Sequence, residues 1–215
     1  MAKIELATSQ ELIVLVGPSA VGKSAIIGYL CKDYGLHKPT SFTTRQQRST
    51  ETGHEYHFLS HADLPMMEER IVQSVTHPDG NVYGTTIEEY PPNALCIIDA
   101  MTSSVQDFKD AGFRLDVFGV IASPDEWIRR LNDRFPTGDP DRLPRLKEAH
   151  TCLTWIHDNR DDVTIILNDA SSNEPAAAEI IQKRQNNPQY RTNGDITISK
   201  LLNLITLIDH ELKGY

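Results

Sequence analysis

Four short apolar runs, at residues 12–16, 94–98, 117–121 and 163–167, are separated by stretches each long enough to hold a helix. Runs this short and this rich in Val, Ile and Leu read as buried strands, and their alternation with helical lengths predicts an α/β fold with a parallel sheet covered by helices. Apolar residues at helical spacing follow the first run at Ala25, Ile26, Ile27 and Leu30. The same spacing returns at Leu201, Leu204, Ile205 and Ile208, predicting a terminal helix over 198–212, and residues 176–182 also suit a helix. The stretch 38–92 is polar, with Thr, Gln, Arg, His and Tyr and few apolar runs, so it reads as an inserted substrate-handling segment. Residues 135–141, Phe-Pro-Thr-Gly-Asp-Pro-Asp, read as a mobile loop.

A chain of 215 residues suits one α/β unit with small inserted subdomains. Its formal net charge of −9 argues against a nucleic-acid polymer as partner, which would favour a basic face. Three cysteines, Cys31, Cys96 and Cys152, are far apart and odd in number, which suggests neither a disulfide framework nor a metal site. They read as reduced thiols packed in the fold. No apolar stretch approaches the roughly 20 residues needed to cross a bilayer, and the first residues have no apolar signal core. A soluble, cytoplasmic location with no membrane partner is the expectation.

The first run changes the picture most, because it leads straight into Gly17-Pro18-Ser19-Ala20-Val21-Gly22-Lys23-Ser24, a Gly-x4-Gly-Lys-Ser phosphate-binding loop in its strand–loop–helix setting. Gly17 and Gly22 let the backbone curl around a phosphate, and the following helix adds its positive N-terminal end. Lys23 then reaches the β- and γ-phosphates of ATP, and the Ser24 hydroxyl ligates Mg2+. The candidate ATP-binding set is Gly17, Ser19, Ala20, Val21, Gly22, Lys23, Ser24 and Ala25. Short buried strands also place Asp99, Ser123 and Asn168 just past their carboxyl ends, where open α/β sheets bind ligands.

A phosphate-transfer enzyme needs a second anion site for its acceptor. Arg45 and Arg48, three residues apart among the hydroxyls of Thr40, Ser41, Thr43, Thr44 and Ser49, supply guanidinium forks that match phosphate oxygens. A solvated basic loop is the competing reading. Glu51 either orients one of these arginines through an ion pair or is an exposed surface carboxylate.

With these motifs in order, the chain resembles the guanylate kinase family. The resemblance rests on Gly17 to Ser24, on Ser41-Phe42-Thr43-Thr44-Arg45 with Arg48 and Glu51, and on Glu55-Tyr56-His57-Phe58-Leu59-Ser60. It continues through Gly80-Asn81-Val82-Tyr83-Gly84-Thr85, Ile97-Ile98-Asp99, Ser123-Pro124, Arg130 to Arg134, Arg145-Leu146 and Asn168-Asp169, covering about residues 12 to 169. It implies a single domain with three parts: an ATP-holding core (about 10–40, 90–130 and 160–215), an acceptor-binding insert (about 41–89) and a lid (about 131–159).

The resemblance further implies that Arg45, Arg48, Tyr56 and Tyr83 hold the acceptor's phosphate, with Ser41 and Thr85 near its base. Without it, Tyr56 and Tyr83 read as core aromatics on strands. Asp99 is expected to help hold the Mg2+ shell, directly or through water, or to hold an acceptor-binding arginine, with a helix N-cap as the competing role. Arg134 and Arg145 correspond to lid arginines that close over the phosphates, making Lys23, Arg45, Arg134 and Arg145 the expected catalytic group; Arg129 and Arg130 stand near enough to serve instead. Asn168 matches a residue near the adenine of ATP, and a turn-forming Asn is the other reading.

The chain departs from the family pattern where two carboxylates read guanine: one position falls on Gln73 or Ser74, and the other is Met101. The usual Gly and Thr are replaced by Ala20 and Ala25, and the tail after Ala170 exceeds the usual ending. The implied reaction moves the γ-phosphate of ATP to a nucleoside monophosphate, with GMP leading. The altered positions keep open another nucleotide or a phosphorylated sugar such as ribose 1,5-bisphosphate. A non-catalytic binding module of the same family is disfavoured by the intact phosphate loop, and a GTPase by the lack of an Asn-Lys-x-Asp guanine signature.

Overall fold

The structure, a computed structural model, describes residues 10–49, 51–53, 56–77, 80–169, 172–185 and 194–214. Along the chain the elements are β1 (Glu11–Val16), α1 (Lys23–Tyr34), β2 (Phe42–Thr43), β3 (His57–Phe58), α2 (Leu64–Met67), β4 (Ile71–Thr76), β5 (Val82–Thr86) and β6 (Cys96–Asp99). There follow α3 (Val105–Asp110), β7 (Arg114–Ile121), α4 (Pro124–Arg134), α5 (Arg142–Asp158), β8 (Thr164–Leu167), α6 (Glu174–Gln185) and α7 (Asp195–Leu212). One four-stranded sheet has the order β6-β1-β7-β8 and a second, smaller mixed sheet the order β3-β2-β5-β4. The fold is therefore α/β, with the four expected buried strands forming the larger sheet.

Residues 12 to 16 of β1 are wholly buried, as a strand covered on both faces must be. The expected strand 94–98 begins later, at Cys96, because Ala94 is held in a turn by its N–H donating to the Pro91 carbonyl. β7 starts earlier than its apolar run, at Arg114, whose N–H donates to the Gln10 carbonyl. The terminal helix also starts early: the Gly194 carbonyl accepts the N–H groups of Thr197 and Ile198, so the first turn forms ahead of the apolar spacing.

The described residues fall into two compact units. One takes Leu36–Ile98 and Ser103–Leu115 with the start of β1. Here the polar segment builds the small sheet, with β2 parallel to β3 and antiparallel to β5, and β4 antiparallel to β5. Its core is a cluster of buried rings: Tyr90 lies 4.8 Å from Phe113 between centroids, and Phe108 meets both edge-on. The other unit takes Val14–Gly35, Asp99–Thr102 and residues 116 onward. Within it β7 and β8 pair in parallel. α1 packs with α6, and α5 packs with α7. The buried residues of α5 (Leu146, Ala149, Leu153, Ile156) and of α7 (Leu201, Leu204, Ile208) recur at three and four residues, the spacing that lines one helix face. Among the described residues no helix is long and apolar enough to cross a membrane.

Because α7 buries this stripe completely, Leu204→Ala should cost about 3 kcal/mol, from lost burial and the cavity left behind. Urea unfolding checks it. An unchanged midpoint would mean that α7 lies outside the cooperative core.

Candidate active site

The phosphate loop joins β1 to α1 and consists of residues 17 to 22, a turn that the backbone makes with special conformations. Gly22 has φ +95° and caps α1; a Cβ there would lie 2.2 Å from Asn173 Oδ1 and 2.6 Å from Asn168 Nδ2. A Cβ on Gly17 would lie 2.4 Å from the Val120 carbonyl oxygen, so both glycines are demanded by close approach. Ala20 stands at φ +69°, in the left-handed region, where its methyl group is a liability.

The loop's carbonyls are taken from outside. Trp127 Nε1, on the buried indole of α4, donates to Ser19 O at 3.0 Å. Val21 O accepts from Asn168 Nδ2 at 2.7 Å and from Arg130 Nη1 at 3.2 Å. Lys23 Nζ donates to Gly17 O at 2.6 Å and to Pro18 O at 3.0 Å. All peptide bonds here are trans. In a trans peptide the N–H points opposite to the C=O, so fixing these carbonyls turns the N–H groups of Ser19, Ala20 and Gly22 the other way. Together with the first-turn N–H groups of α1 they form a ready anion cradle. Ser24 and Ala25 are exposed on that first turn, and Val21 is buried beneath it.

Burial pushes the Lys23 ammonium below the ordinary lysine range, while the negative charges of Asp99, Cys152 in its thiolate form and Glu148 pull it back up and Arg134 pushes it further down. Four groups from β6, α4 and α5 therefore act on this lysine's charge. Asp99 ends β6 as expected. Arg134 ends α4, and its guanidinium carbon lies 5.3 Å from the centroid of Phe135; Arg145 lies 5.8 Å from the same ring and pairs with Glu148 at 2.6 Å. Arg129 is engaged on the exposed face by Glu126 and Asp133. Arg130 is tied to Glu126 and to the loop carbonyl, a supporting position.

Asn168 is nearly fully buried, and its amide donates to both Val21 O and Asn173 Oδ1. It acts here as a rivet under the loop. The neighbouring Asp169 accepts the Ser123 N–H and the Lys200 ammonium, which hold its carboxyl below the ordinary range against the opposing effect of burial.

In the other unit, Glu51 grips Arg45 with both oxygens, at 2.8 and 2.5 Å, and also accepts the Arg48 N–H at 2.8 Å. The Arg45 guanidinium, first, and the Arg48 N–H, second, draw the Glu51 carboxyl down to about 2. Glu51 is thus the orienting partner of the two alternatives. Arg45 also lies over the rings of Tyr56, at 5.1 Å, and Phe58, at 5.5 Å, and Tyr83 meets Tyr56 edge-on. Tyr56 and Tyr83 are half-buried around this guanidinium, and Tyr56 precedes its strand. The Arg48 side chain is exposed and Ser41 half-buried, whereas Thr85 is fully enclosed, its hydroxyl 2.8 Å from that of Tyr90.

The register of the small sheet puts the two candidate positions for the missing carboxylate on opposite faces. Gln73 is paired with Thr85 and Val75 with Tyr83, while Ser74 is paired with Gly84. Directly opposed residues share a face, so Gln73 lies on the face of Tyr83 and Thr85. Met101 is 49% exposed, two residues beyond Asp99. Glu55, part of the sequence pattern, lies outside the described residues.

Sequence reasoning missed Trp127, Asn173 and Phe58. Trp127 carried a signal, since a buried indole N–H has to find an acceptor. The other two acquire their meaning only from the fold.

The guanylate kinase family model matches residues 9–137. The chain belongs to the guanylate kinase family. Members of this family are ATP-dependent phosphotransferases acting on nucleotides, and the chain is 31% identical to the guanylate kinase of Schizosaccharomyces pombe over 170 residues, 73% of this chain and 82% of that protein. It is also similar to a ribose 1,5-bisphosphate phosphokinase of Agrobacterium fabrum, at 28% identity over 81% of this chain and 96% of that one. The crystal structure of guanylate kinase from Anaplasma phagocytophilum shares the fold, with a TM-score of 0.56, 18% identity, and coverage of 92% of this chain and 95% of that one.

Ala20 at positive φ yields a test of the loop geometry. Ala20→Gly should stabilise the protein by about 1 kcal/mol, the left-handed penalty less the extra freedom of an unfolded glycine. That corresponds to a rise in Tm of about 2–4 °C. A Tm that stays put or falls would contradict the left-handed assignment.

Proposed function

We propose that this chain moves the γ-phosphate of ATP to the phosphate of a nucleoside monophosphate, with GMP as its leading acceptor. The observation that carries the donor half is the loop whose carbonyls are fixed from behind by Trp127, Asn168, Arg130 and Lys23, so that its N–H groups serve a polyphosphate. The acceptor half rests on Arg45, held by Glu51 and stacked on Tyr56 and Phe58, with Arg48 beside it and Tyr83 at the edge. A guanidinium so fixed presents its remaining donors to a phosphate with little ordering left to do.

Phosphoryl transfer needs no covalent intermediate; positioning and charge neutralisation carry it. Lys23 neutralises the β- and γ-phosphates. Arg134 and Arg145 follow the charge on the transferring group, and Arg45 and Arg48 hold the attacking phosphate in line. Gly17, Ser19, Ala20, Val21, Gly22, Ser24 and Ala25 enclose the donor.

Among the described residues no three His, Cys, Asp or Glu side chains converge into a metal cage. Mg2+ carried in on ATP would be met by one or two protein oxygens, here the exposed Ser24 hydroxyl and Asp99, directly or through water. Held there, the ion would offset the negative charge of the phosphates.

A second acceptor class is favoured by two observations: Gln73 on the Tyr83 face and the exposed thioether of Met101. A neutral amide both donates and accepts, and Met accepts at most weakly. Side chains of this kind suit hydroxyls or another base as well as guanine, which brings in a phosphorylated sugar of the ribose 1,5-bisphosphate type.

Coupled assay of ADP release against a panel of nucleoside monophosphates and sugar phosphates tests the reading. GMP should be fastest; a sugar bisphosphate ahead of every nucleotide would transfer the assignment to the second class, and no acceptor-dependent release would refute both. Lys23→Ala should lower turnover about 100-fold or more with little change in Tm. Near-normal turnover would remove Lys23 from the reaction. Arg48→Ala should raise the acceptor KM by about 10- to 100-fold, the worth of a hydrogen bond to a charged group, and an unchanged KM would place Arg48 outside the acceptor site.

A further inference from the structure

Arg134 ends one helix and Arg145 lies in the next, yet both guanidinium groups come to rest on a single ring, that of Phe135. The backbone that carries this ring is itself fixed. Phe135 N–H donates to the Leu131 carbonyl at 2.7 Å and caps α4, while its own carbonyl accepts from Arg142 Nη1 at 2.8 Å. Arg142 is 4% exposed, which is costly for a guanidinium unless its donors are used. They are: Nη1 also donates to Asn132 Oδ1 at 2.8 Å, and Nη2 to Glu211 Oε2 at 3.1 Å, at the far end of α7. A buried, three-way-bonded arginine thus anchors the corner between α4 and α5 to the terminal helix. The only large apolar side chain in the corner, between Arg134 and Arg142, is Phe135.

We propose that Phe135 is a positioning residue for phosphoryl transfer: its ring seats Arg134 and Arg145 side by side, with Arg142 and Glu211 holding the ring's backbone in place. The inference rests on the reading of Arg134 and Arg145 as phosphate-facing groups. Two long cations on separate helices repel each other and sample many rotamers; an aromatic face attracts both and narrows their positions before a phosphate arrives. Glu148, paired with Arg145 and acting on Lys23, keeps the cluster from carrying uncompensated charge.

The test uses the full chain and the fastest acceptor, with kcat and both KM values for Phe135→Leu, Phe135→Tyr, Arg134→Ala/Arg145→Ala, and that double variant with Phe135→Leu added. Arginine Nε–H resonances, assigned through Arg134→Lys and Arg145→Lys, are followed in parallel. Phe135→Leu should lower kcat about tenfold with both KM values within about twofold, and Phe135→Tyr should restore it. On the arginine-free background Phe135→Leu should change nothing further. The Arg134 and Arg145 resonances should lose their ring-current shifts in Phe135→Leu and keep them in Phe135→Tyr. Full kcat in Phe135→Leu, an equal loss on the arginine-free background, or unmoved resonances would each overturn the proposal. If the double arginine variant alone keeps full turnover, the catalytic reading of the arginines fails and the positioning inference falls with it; if it loses turnover while Phe135→Leu does not, the inference falls by itself.

Discussion

The planarity of the peptide bond governs this protein's chemistry. Once the carbonyls of Gly17, Pro18, Ser19 and Val21 are committed to Lys23, Trp127, Asn168 and Arg130, the N–H groups of Ser19, Ala20 and Gly22, across the last three of these peptides, have one direction left. The donors come from three elements: α1 itself, α4, and the end of β8. The loop's shape is therefore set by packing well outside the loop. Trp127 is fully buried and Asn168 nearly so, which makes them rigid supports, and the close approach of Asn168 and Asn173 leaves room only for glycine at position 22.

A common device recurs among the cations in both units. Each is held by a carboxylate and rests on an aromatic ring: Arg45 on Glu51, Tyr56 and Phe58, and Arg145 on Glu148 and Phe135. The Arg145–Glu148 pair is about one-third exposed, where ion pairs are weak, whereas Arg45 and Glu51 are only 11% and 14% exposed and joined through two bonds; in both, the carboxylate orders its guanidinium. Arg142 is the exception, closed off from solvent and given to structure. Local features set this chain apart: Ala20 at a left-handed position, an exposed Met101 two residues beyond Asp99, and a long terminal helix packed on α5.

The larger sheet was legible because its strands are buried on both faces and read as unbroken apolar runs. The phosphate loop was legible because its backbone demands specific residues at specific spacing. The small sheet was much less so: β2 and β3 have two residues each, too few to show a period, and exist through pairing with β5 and each other. Asn168 was placed correctly past a strand end, but its buried role under Val21 depends on a partner 147 residues away. Likewise, nothing local marks Arg142 as buried, since its closing partner Glu211 is 69 residues on. Thr85 carries a hydroxyl at a position that the family pattern puts near the base, yet the fold encloses it against Tyr90.

The central claim is that residues 17 to 24 form a preorganised polyphosphate site. Calorimetric titration of the wild-type chain with a non-hydrolysable ATP analogue and Mg2+ tests it most directly. The account predicts saturable binding at one site per chain, abolished in Gly22→Val, whose side chain would collide with Asn168 and Asn173. Absence of binding to the wild type, or undiminished binding to the variant, would contradict it.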